Sequence, residues 1–182
     1  MNSEIKASAK QKLSGKWGTV IGASLVMGLI VGAVSSIGLS IFIVGPASVG
    51  LAALFLAVVR EGEADFNLVF SGFNNFVNTM VTGLLYEIFI TLWSLLFVIP
   101  GIIKSYSYAM CFFIQNDNPE MSGTEAITAS KEMMEGHKME LFLLDLSFIG
   151  WILLSCLTCG LLMLYVGPWM SASRAEFYER IR

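Results

Sequence analysis

Three ionisable side chains lie within long apolar stretches of the sequence, and their chemistry sets them apart. Glu87, Lys104 and Asp145 are each flanked by aliphatic and aromatic residues. On insertion scales a charged group at the centre of a membrane costs about 2.5–3.5 kcal/mol, so each should face protein or water. Lys104 could pair with either carboxylate. Two interpretations follow: a polar path that carries protons or binds an ion, and a buried ion pair that fixes helix register.

The composition indicates which kind of element must hold these residues. The chain has 182 residues, of which 55% are hydrophobic and 14% are charged, and its mean hydropathy is +0.72. Soluble domains are about a quarter charged. No charged residue occurs in 17–59 or in 146–173, and uncharged runs of this length are typical of membrane-spanning helices. The net charge of −3, without a basic cluster, argues against a nucleic-acid partner.

The apolar runs predict an all-α, polytopic membrane bundle with six transmembrane helices. Each run is close to the roughly 20 residues that cross a bilayer. The predicted helices cover about 17–36, 39–59, 73–91, 93–115, 139–157 and 161–178. With the N-terminus in the cytoplasm, every Lys and Arg except Lys104 falls on or near the cytoplasmic side. This positive-inside bias predicts that both termini are cytoplasmic.

A similar segment recurs in the chain and ends each time in a proline. Residues 38–46 match residues 160–168, and residues 92–100 are a looser copy, ending at Pro46, Pro168 and Pro100. We therefore predict three parallel hairpins within one membrane domain. They cover about 17–60, 73–116 and 139–180, and the cytoplasmic connections are 61–72 and 117–138. Proline removes a helical hydrogen bond and kinks the helix. The three kinks could ring a shallow outer cavity, or they could serve packing alone.

Short amphipathic helices are predicted outside the membrane spans. Apolar residues at helical spacing in 5–17, among lysines, indicate a helix on the inner membrane face, with a solvated basic tail as the alternative. Asp65 can cap a helix whose apolar stripe is Phe66, Val69, Phe70 and Phe73. Ser122 and Glu125 form a capping-box pattern that starts a further helix ending near residue 136.

The sequence offers little that resembles an enzyme. Cys156 and Cys159 have the spacing of a redox motif, but without the strand–helix context of such sites, so small-residue packing is favoured. His137 is the one histidine and makes a poor metal site. We find no phosphate-binding loop, nucleophile elbow or metal-ligand cluster. We therefore expect no enzymatic activity, no metal and no cofactor.

Several longer stretches of mixed character resemble a known family. They are Pro100–Met110, Asp117–Glu120, Glu125–Ile127, Ser130–Lys131, Met133–Lys138 and Leu146–Trp151. They are similar to the bacterial domain-of-unknown-function 975 family, and the likeness covers nearly the whole chain. The resemblance implies an integral protein of the bacterial cell membrane and brings no assigned activity or catalytic residues.

Together these features predict a non-enzymatic, multi-pass protein of the bacterial cytoplasmic membrane. Its role would be that of an accessory or scaffold subunit, or of an immunity or stress factor. The alternative is a small transporter or channel that uses Glu87, Lys104 and Asp145. The predicted partners are the lipid bilayer and a membrane protein or further copies of the chain.

Overall fold

The regular structure of the chain is helical. The computed structural model describes residues 2–35, 40–96, 98–158 and 160–182, and every regular element in these ranges is a helix, which confirms the all-α fold class. The α-helices are α1 (Asn2–Leu13), α2 (Trp17–Ser35), α3 (Ser40–Arg60), α4 (Phe76–Leu96), α5 (Val98–Ser107), α6 (Cys111–Asp117), α7 (Gly123–Met133), α8 (Lys138–Leu146), α9 (Ile149–Leu157) and α10 (Met163–Ile181), and a 3-10 helix covers Phe66–Phe73.

Four helical segments are long and apolar enough to cross a membrane. They are Trp17–Ser35, Ile41–Arg60, Phe76–Leu95 and Lys138–Leu157, the last made of α8 and α9. Within the described residues, the other two predicted spans are not long, apolar helices of this kind. The fourth is broken into α5 and α6, and α10 carries Arg174, Glu176, Glu179 and Arg180 in its second half. Length and composition therefore support four of the six predicted spans, and the other two stay a prediction.

The predicted boundary between the third and fourth helices is wrong. The sequence indicated a turn around Leu92, whereas α4 continues through Leu92 to Leu96. α5 then begins at Val98, which places Pro100 in the first turn of a helix. A first-turn residue needs no backbone hydrogen-bond donor, so proline is tolerated there. The other predicted turns, at 37–38 and 158–160, include residues outside the described ranges.

α3 is the central helix, and its glycines let other backbones approach it closely. A Cβ atom added at Gly45 would overlap the Thr79 carbonyl oxygen of α4, and one added at Gly83 would overlap the Gly45 backbone. A Cβ at Gly50 would overlap the Val69 carbonyl of the 3-10 helix. A substituted residue at any of these positions would force the backbones apart. The absence of side chains thus sets the distance between α3, α4 and the 3-10 helix.

The 3-10 helix begins with the predicted cap, and its apolar stripe is only partly buried. The Asp65 carboxylate accepts a hydrogen bond from the Asn67 backbone N–H at 2.9 Å. Val69 is buried, whereas Phe66 and Phe70 are 36% and 41% exposed. A 3-10 helix has three residues per turn, so Val69 aligns with Gly72 toward α3, and the predicted stripe is divided between this buried face and an exposed one.

The break between α5 and α6 is stabilised by a hydroxyl from α7. Ser130 donates a hydrogen bond to the Ser107 carbonyl at 3.0 Å and accepts one from the Met110 backbone N–H at 3.2 Å. Ser130 is fully buried. A helix can break in an apolar environment when neighbouring groups bind the freed backbone atoms. α7 itself begins with the predicted capping box of Ser122 and Glu125, which is confirmed.

The amphipathic helix at the N-terminus is present, and its apolar face packs against protein. Ile5, Ala9 and Leu13 are at most 1% exposed and lie in the main core. The Lys12 ammonium pairs with the Glu176 carboxylate of α10 at 2.6 Å. Lys6 Nζ donates to the Ser147 carbonyl at 3.2 Å, at the break between α8 and α9. The predicted contact of this face with the membrane surface is therefore wrong, because α10 and its neighbours cover it.

Replacing Gly45 by Ala should destabilise the protein, because the new methyl group collides with the α4 backbone. Overpacking of this kind costs about 1–3 kcal/mol. Gly28→Ala is the matched control, since nothing lies within 4 Å of a Cβ there. Thermal unfolding of the purified protein in detergent, followed by fluorescence-detected size exclusion, checks this. Equal midpoints for Gly45→Ala and Gly28→Ala would contradict the proposed close contact.

Candidate functional site

Asp145 on α8 forms an ion pair with a residue that the sequence did not single out. Arg174 Nη2 on α10 lies 2.7 Å from Asp145 Oδ2, and Arg174 Nε donates to Oδ1 at 3.2 Å. The Tyr106 hydroxyl of α5 donates to the same carboxylate at 3.2 Å. Three helices therefore meet at one carboxylate. Two-point contact with a guanidinium fixes the geometry of the pair, because both groups are planar and fork-shaped.

Lys104 does not join this group. Its ammonium lies over the ring of Trp93 on α4, 4.7 Å from the ring centroid. The electron-rich face of an indole attracts a cation and contributes about 0.5–2 kcal/mol. In the described part of the chain no ion pair joins Lys104 to Glu87 or to Asp145. Trp93 thus holds the side chain that we expected to pair with a carboxylate.

A cavity of about 500 Å³ lies beside the Asp145–Arg174 pair, and we call it the central cavity. Arg174 and Tyr106 form part of its wall together with Ser105 and Ser171. The remaining lining is mostly apolar. It consists of Ser48, Leu51, Ala52, Phe55, Tyr86, Ile102, Ala109, Phe112 and Phe113. An apolar wall with a few convergent polar groups is typical of small-ligand sites.

Arg174 is the functional candidate that sequence reasoning missed. It was grouped with the basic residues of the cytoplasmic side, although it lies within the predicted sixth helix and directly follows the uncharged run 146–173. Its place at the end of that run was the feature that could have singled out Arg174. The sequence could not show that Arg174 pairs with Asp145, because α8 and α10 meet only in the folded chain. Glu87 lies apart from this site in a second cavity, between α3 and α4.

The C-terminal ends of α3, α6 and α10 are joined by charged residues, which we call the end cluster. Arg60 donates to both carboxylate oxygens of Asp117 at 2.8 and 2.7 Å and to Glu179 at 2.7 Å. The Tyr178 hydroxyl donates to Asp117 at 2.9 Å. Burial by itself would raise the pKa of Asp117, but these hydrogen bonds hold the pKa below its ordinary value. The cluster therefore holds three helix ends together as charged groups.

The remaining predicted residues lie away from the central cavity or are only partly described. Pro46 and Pro168 lie inside α3 and α10, and Pro100 lies in the first turn of α5, so three matching kinks stay a prediction. Cys156 is exposed, and Cys159 lies outside the described residues. Among the described residues no three His, Cys, Asp or Glu side chains are grouped as metal ligands.

The fold and the central cavity define a class: an all-helical protein with four membrane-compatible helical segments and a partly polar cavity, which two of those segments, α3 and α4, help to line. The chain belongs to a specific family within that class. A family model described as a protein of unknown function, DUF975, matches residues 1–104 and 95–182. The expected resemblance is therefore confirmed over the whole chain. No curated protein and no solved structure matches it.

Neutralising either partner of the Asp145–Arg174 pair should destabilise the protein by about 1–3 kcal/mol, less than for a fully buried pair, because the Arg174 side chain is 43% exposed. We expect Asp145→Asn and Arg174→Gln to be strongly non-additive in a double-mutant cycle of thermal unfolding. Lys104→Met combined with Asp145→Asn is the control and should be additive within about 0.5 kcal/mol. Additivity in the first cycle, or strong coupling in the second, would contradict the assigned pair.

Proposed function

We propose that this chain is a non-enzymatic, multi-pass protein of the bacterial cytoplasmic membrane that admits a small polar solute into the central cavity. The membrane placement is supported by the four apolar helical segments and by the large apolar side chains they expose. Examples are Leu29 of α2, Leu95 of α4 and Leu157 of α9, which are 71%, 82% and 81% exposed. In water such a surface would favour aggregation, whereas hydrocarbon solvates it.

The proposed topology adds α5–α6 and α10 to the four apolar segments as crossing elements. Six crossings in three hairpins would leave both termini in the cytoplasm, in agreement with the positive-inside bias of the sequence. Under this topology the end cluster and α1 lie at the cytoplasmic side. The breaks within the α5–α6 and α8–α9 segments are compatible with a membrane, because Ser130 and Lys6 bind the freed backbone groups.

The single observation that carries solute binding is the central cavity. A bundle that served only as a scaffold would gain stability by packing this space solid, since an empty cavity forfeits dispersion contacts. The space is instead lined in part by the polar residues Ser105, Ser171 and Arg174. Because Asp145 already balances Arg174, the cavity wall carries little net charge, which suits a neutral or zwitterionic polar solute.

An accessory or scaffold role is the second candidate, and the loose packing of three spans favours it. The apolar windows of Trp17–Ser35, Phe76–Leu95 and Lys138–Leu157 are only 17%, 17% and 22% buried within the chain. The exposed parts of these three segments can contact lipid or the helices of another membrane protein. This role predicts that the protein co-purifies with a partner from membranes and shows no solute flux.

Cysteine labelling tests the proposed topology. In a cysteine-free background, Gln11→Cys should react with a membrane-impermeant maleimide only after bacterial protoplasts are permeabilised, because α1 lies inside. Thr158→Cys, between α9 and α10, is the matched control and should react in intact protoplasts. Both positions are exposed on the protein, so burial does not decide the result. The reverse pattern, or equal labelling of both, would contradict the topology.

Solute flux into proteoliposomes tests the role of the central cavity. Light scattering after an osmotic step with glycerol, and an entrapped pH-sensitive dye, report polyol and proton entry. We expect rates above those of empty liposomes for wild type. Ser105→Phe should reduce them to the empty-liposome level, because a ring at this position fills the cavity.

Leu153→Phe is the matched control, since Leu153 is 63% exposed on α9 and does not line the cavity. It should retain wild-type flux. Lys104→Met should also retain it, because the ammonium lies over Trp93. Rates of wild type equal to those of empty liposomes, in both assays, would contradict transport and leave the scaffold role as the better proposal.

A further inference from the structure

Glu87 lies in an open apolar groove between α3 and α4 that is separate from the central cavity. The groove has a volume of about 610 Å³. Among the residues that the structure describes, its lining is aliphatic apart from Glu87 and one threonine, and we call it the Glu87 groove. It is lined by Ile41, Val44, Glu87, Ile88, Thr91, Leu92 and Leu95. Glu87 is the one charged residue of this lining and lies near the middle of the Phe76–Leu95 span.

The Glu87 carboxylate has no partner among the described residues. No hydrogen bond or ion pair there includes it, in contrast to Asp145 and Asp117, which are held by Arg174 and Arg60. The Lys104 ammonium, the other intramembrane charge that was expected to reach it, lies over Trp93. A carboxylate at membrane depth without a countercharge is strongly unfavourable, so an ionised Glu87 requires a cation from outside the chain.

We propose that the Glu87 groove binds a lipophilic organic cation that enters from the membrane. Such a molecule matches both features of the site: its positive charge pairs with the carboxylate, and its apolar body covers Ile88, Leu92 and Leu95. Exposed fractions of 47%, 52% and 82% leave these side chains free to contact a ligand. The groove volume falls within the roughly 300–1,000 Å³ of small-molecule sites.

Ordinary membrane constituents fit this site less well. The amine headgroup of a phospholipid stays at the membrane surface, whereas Glu87 lies near the middle of its span. A metal ion would need several oxygen ligands, and the described lining of the groove supplies one carboxylate and one threonine hydroxyl. A hydrated inorganic cation would leave the aliphatic wall uncovered. The inference depends on the proposed membrane placement but not on solute passage through the central cavity.

Binding of tetraphenylphosphonium to the protein in nanodiscs of zwitterionic lipid tests the proposal. Equilibrium dialysis with a cation-selective electrode measures binding in excess of empty nanodiscs. We expect saturable binding to wild type and roughly tenfold or weaker affinity for Glu87→Gln, because the countercharge is lost. Glu63→Gln, which removes an exposed carboxylate from the connection after α3, is the matched control and should bind as wild type does.

Two further measurements separate charge recognition from general hydrophobic binding. Tetraphenylborate has the same shape as the probe with the opposite charge, and we expect it to show no saturable binding. Leu92→Trp fills the groove while Glu87 is retained, and it should weaken tetraphenylphosphonium binding by a similar factor. This second variant decides the question if Glu87→Gln does not yield a monodisperse protein.

Equal tetraphenylphosphonium binding by wild type, Glu87→Gln and Leu92→Trp would overturn the proposal and assign the signal to partition into lipid. Saturable binding of tetraphenylborate would overturn it as well. A third outcome would also overturn it. If Leu92→Cys cross-links two copies of the chain and the cross-linked protein binds no tetraphenylphosphonium, a second copy occupies the groove in place of a cation. Failure of the maleimide-labelling pattern identifies an error in membrane placement separately, so the two failures are distinguishable.

Discussion

Close contact between the backbone of α3 and its neighbours is the constraint on which the rest of the structure depends. Gly45 meets Thr79 and Gly83 of α4, and Gly50 meets Val69 of the 3-10 helix. In hydrocarbon the hydrophobic effect between helices is absent, so association relies on van der Waals contact, which small residues maximise. α3 thereby becomes the most enclosed of the four apolar segments, with 67% of its window buried. α2 and α4 pack directly on α3, whereas the α8–α9 segment packs on α10, α5 and α1. The central cavity and the Glu87 groove both include residues of α3.

A second constraint is that two breaks within apolar segments are bound by side chains from elsewhere in the chain. The α5–α6 break uses the Ser130 hydroxyl of α7, and the α8–α9 break uses the Lys6 ammonium of α1. The short helices α1 and α7 therefore contribute hydrogen bonds that stabilise the bundle. They supply polar atoms at the two places where apolar segments lose their own hydrogen bonds. Tyr106 and Asp145, which lie just before those breaks, are hydrogen-bonded to each other, and Tyr106 lines the central cavity.

The three ionisable residues of the apolar segments have three different kinds of surroundings. Asp145 is neutralised by Arg174, Lys104 is held over an aromatic ring, and Glu87 faces an apolar groove. The first two arrangements are complete within the described structure and are compatible with a stabilising role. The third leaves a carboxyl group without a partner among the described residues. This difference is why the Glu87 groove, rather than the ion pair, suggests a ligand of defined charge.

The sequence by itself determined the helical class, the family, the capping box and the positions of four apolar segments, because these depend on composition and on residues close together in the chain. It located Glu87, Lys104 and Asp145 as exceptions for the same reason. It did not reveal that Arg174 is the partner of Asp145, that α1 packs on α10, or that α4 continues beyond Leu92. Those outcomes depend on which helices become neighbours. Backbone contact at Gly45 and Gly50 and the side chains that bind the freed groups decide that, and both involve residues far apart in the chain.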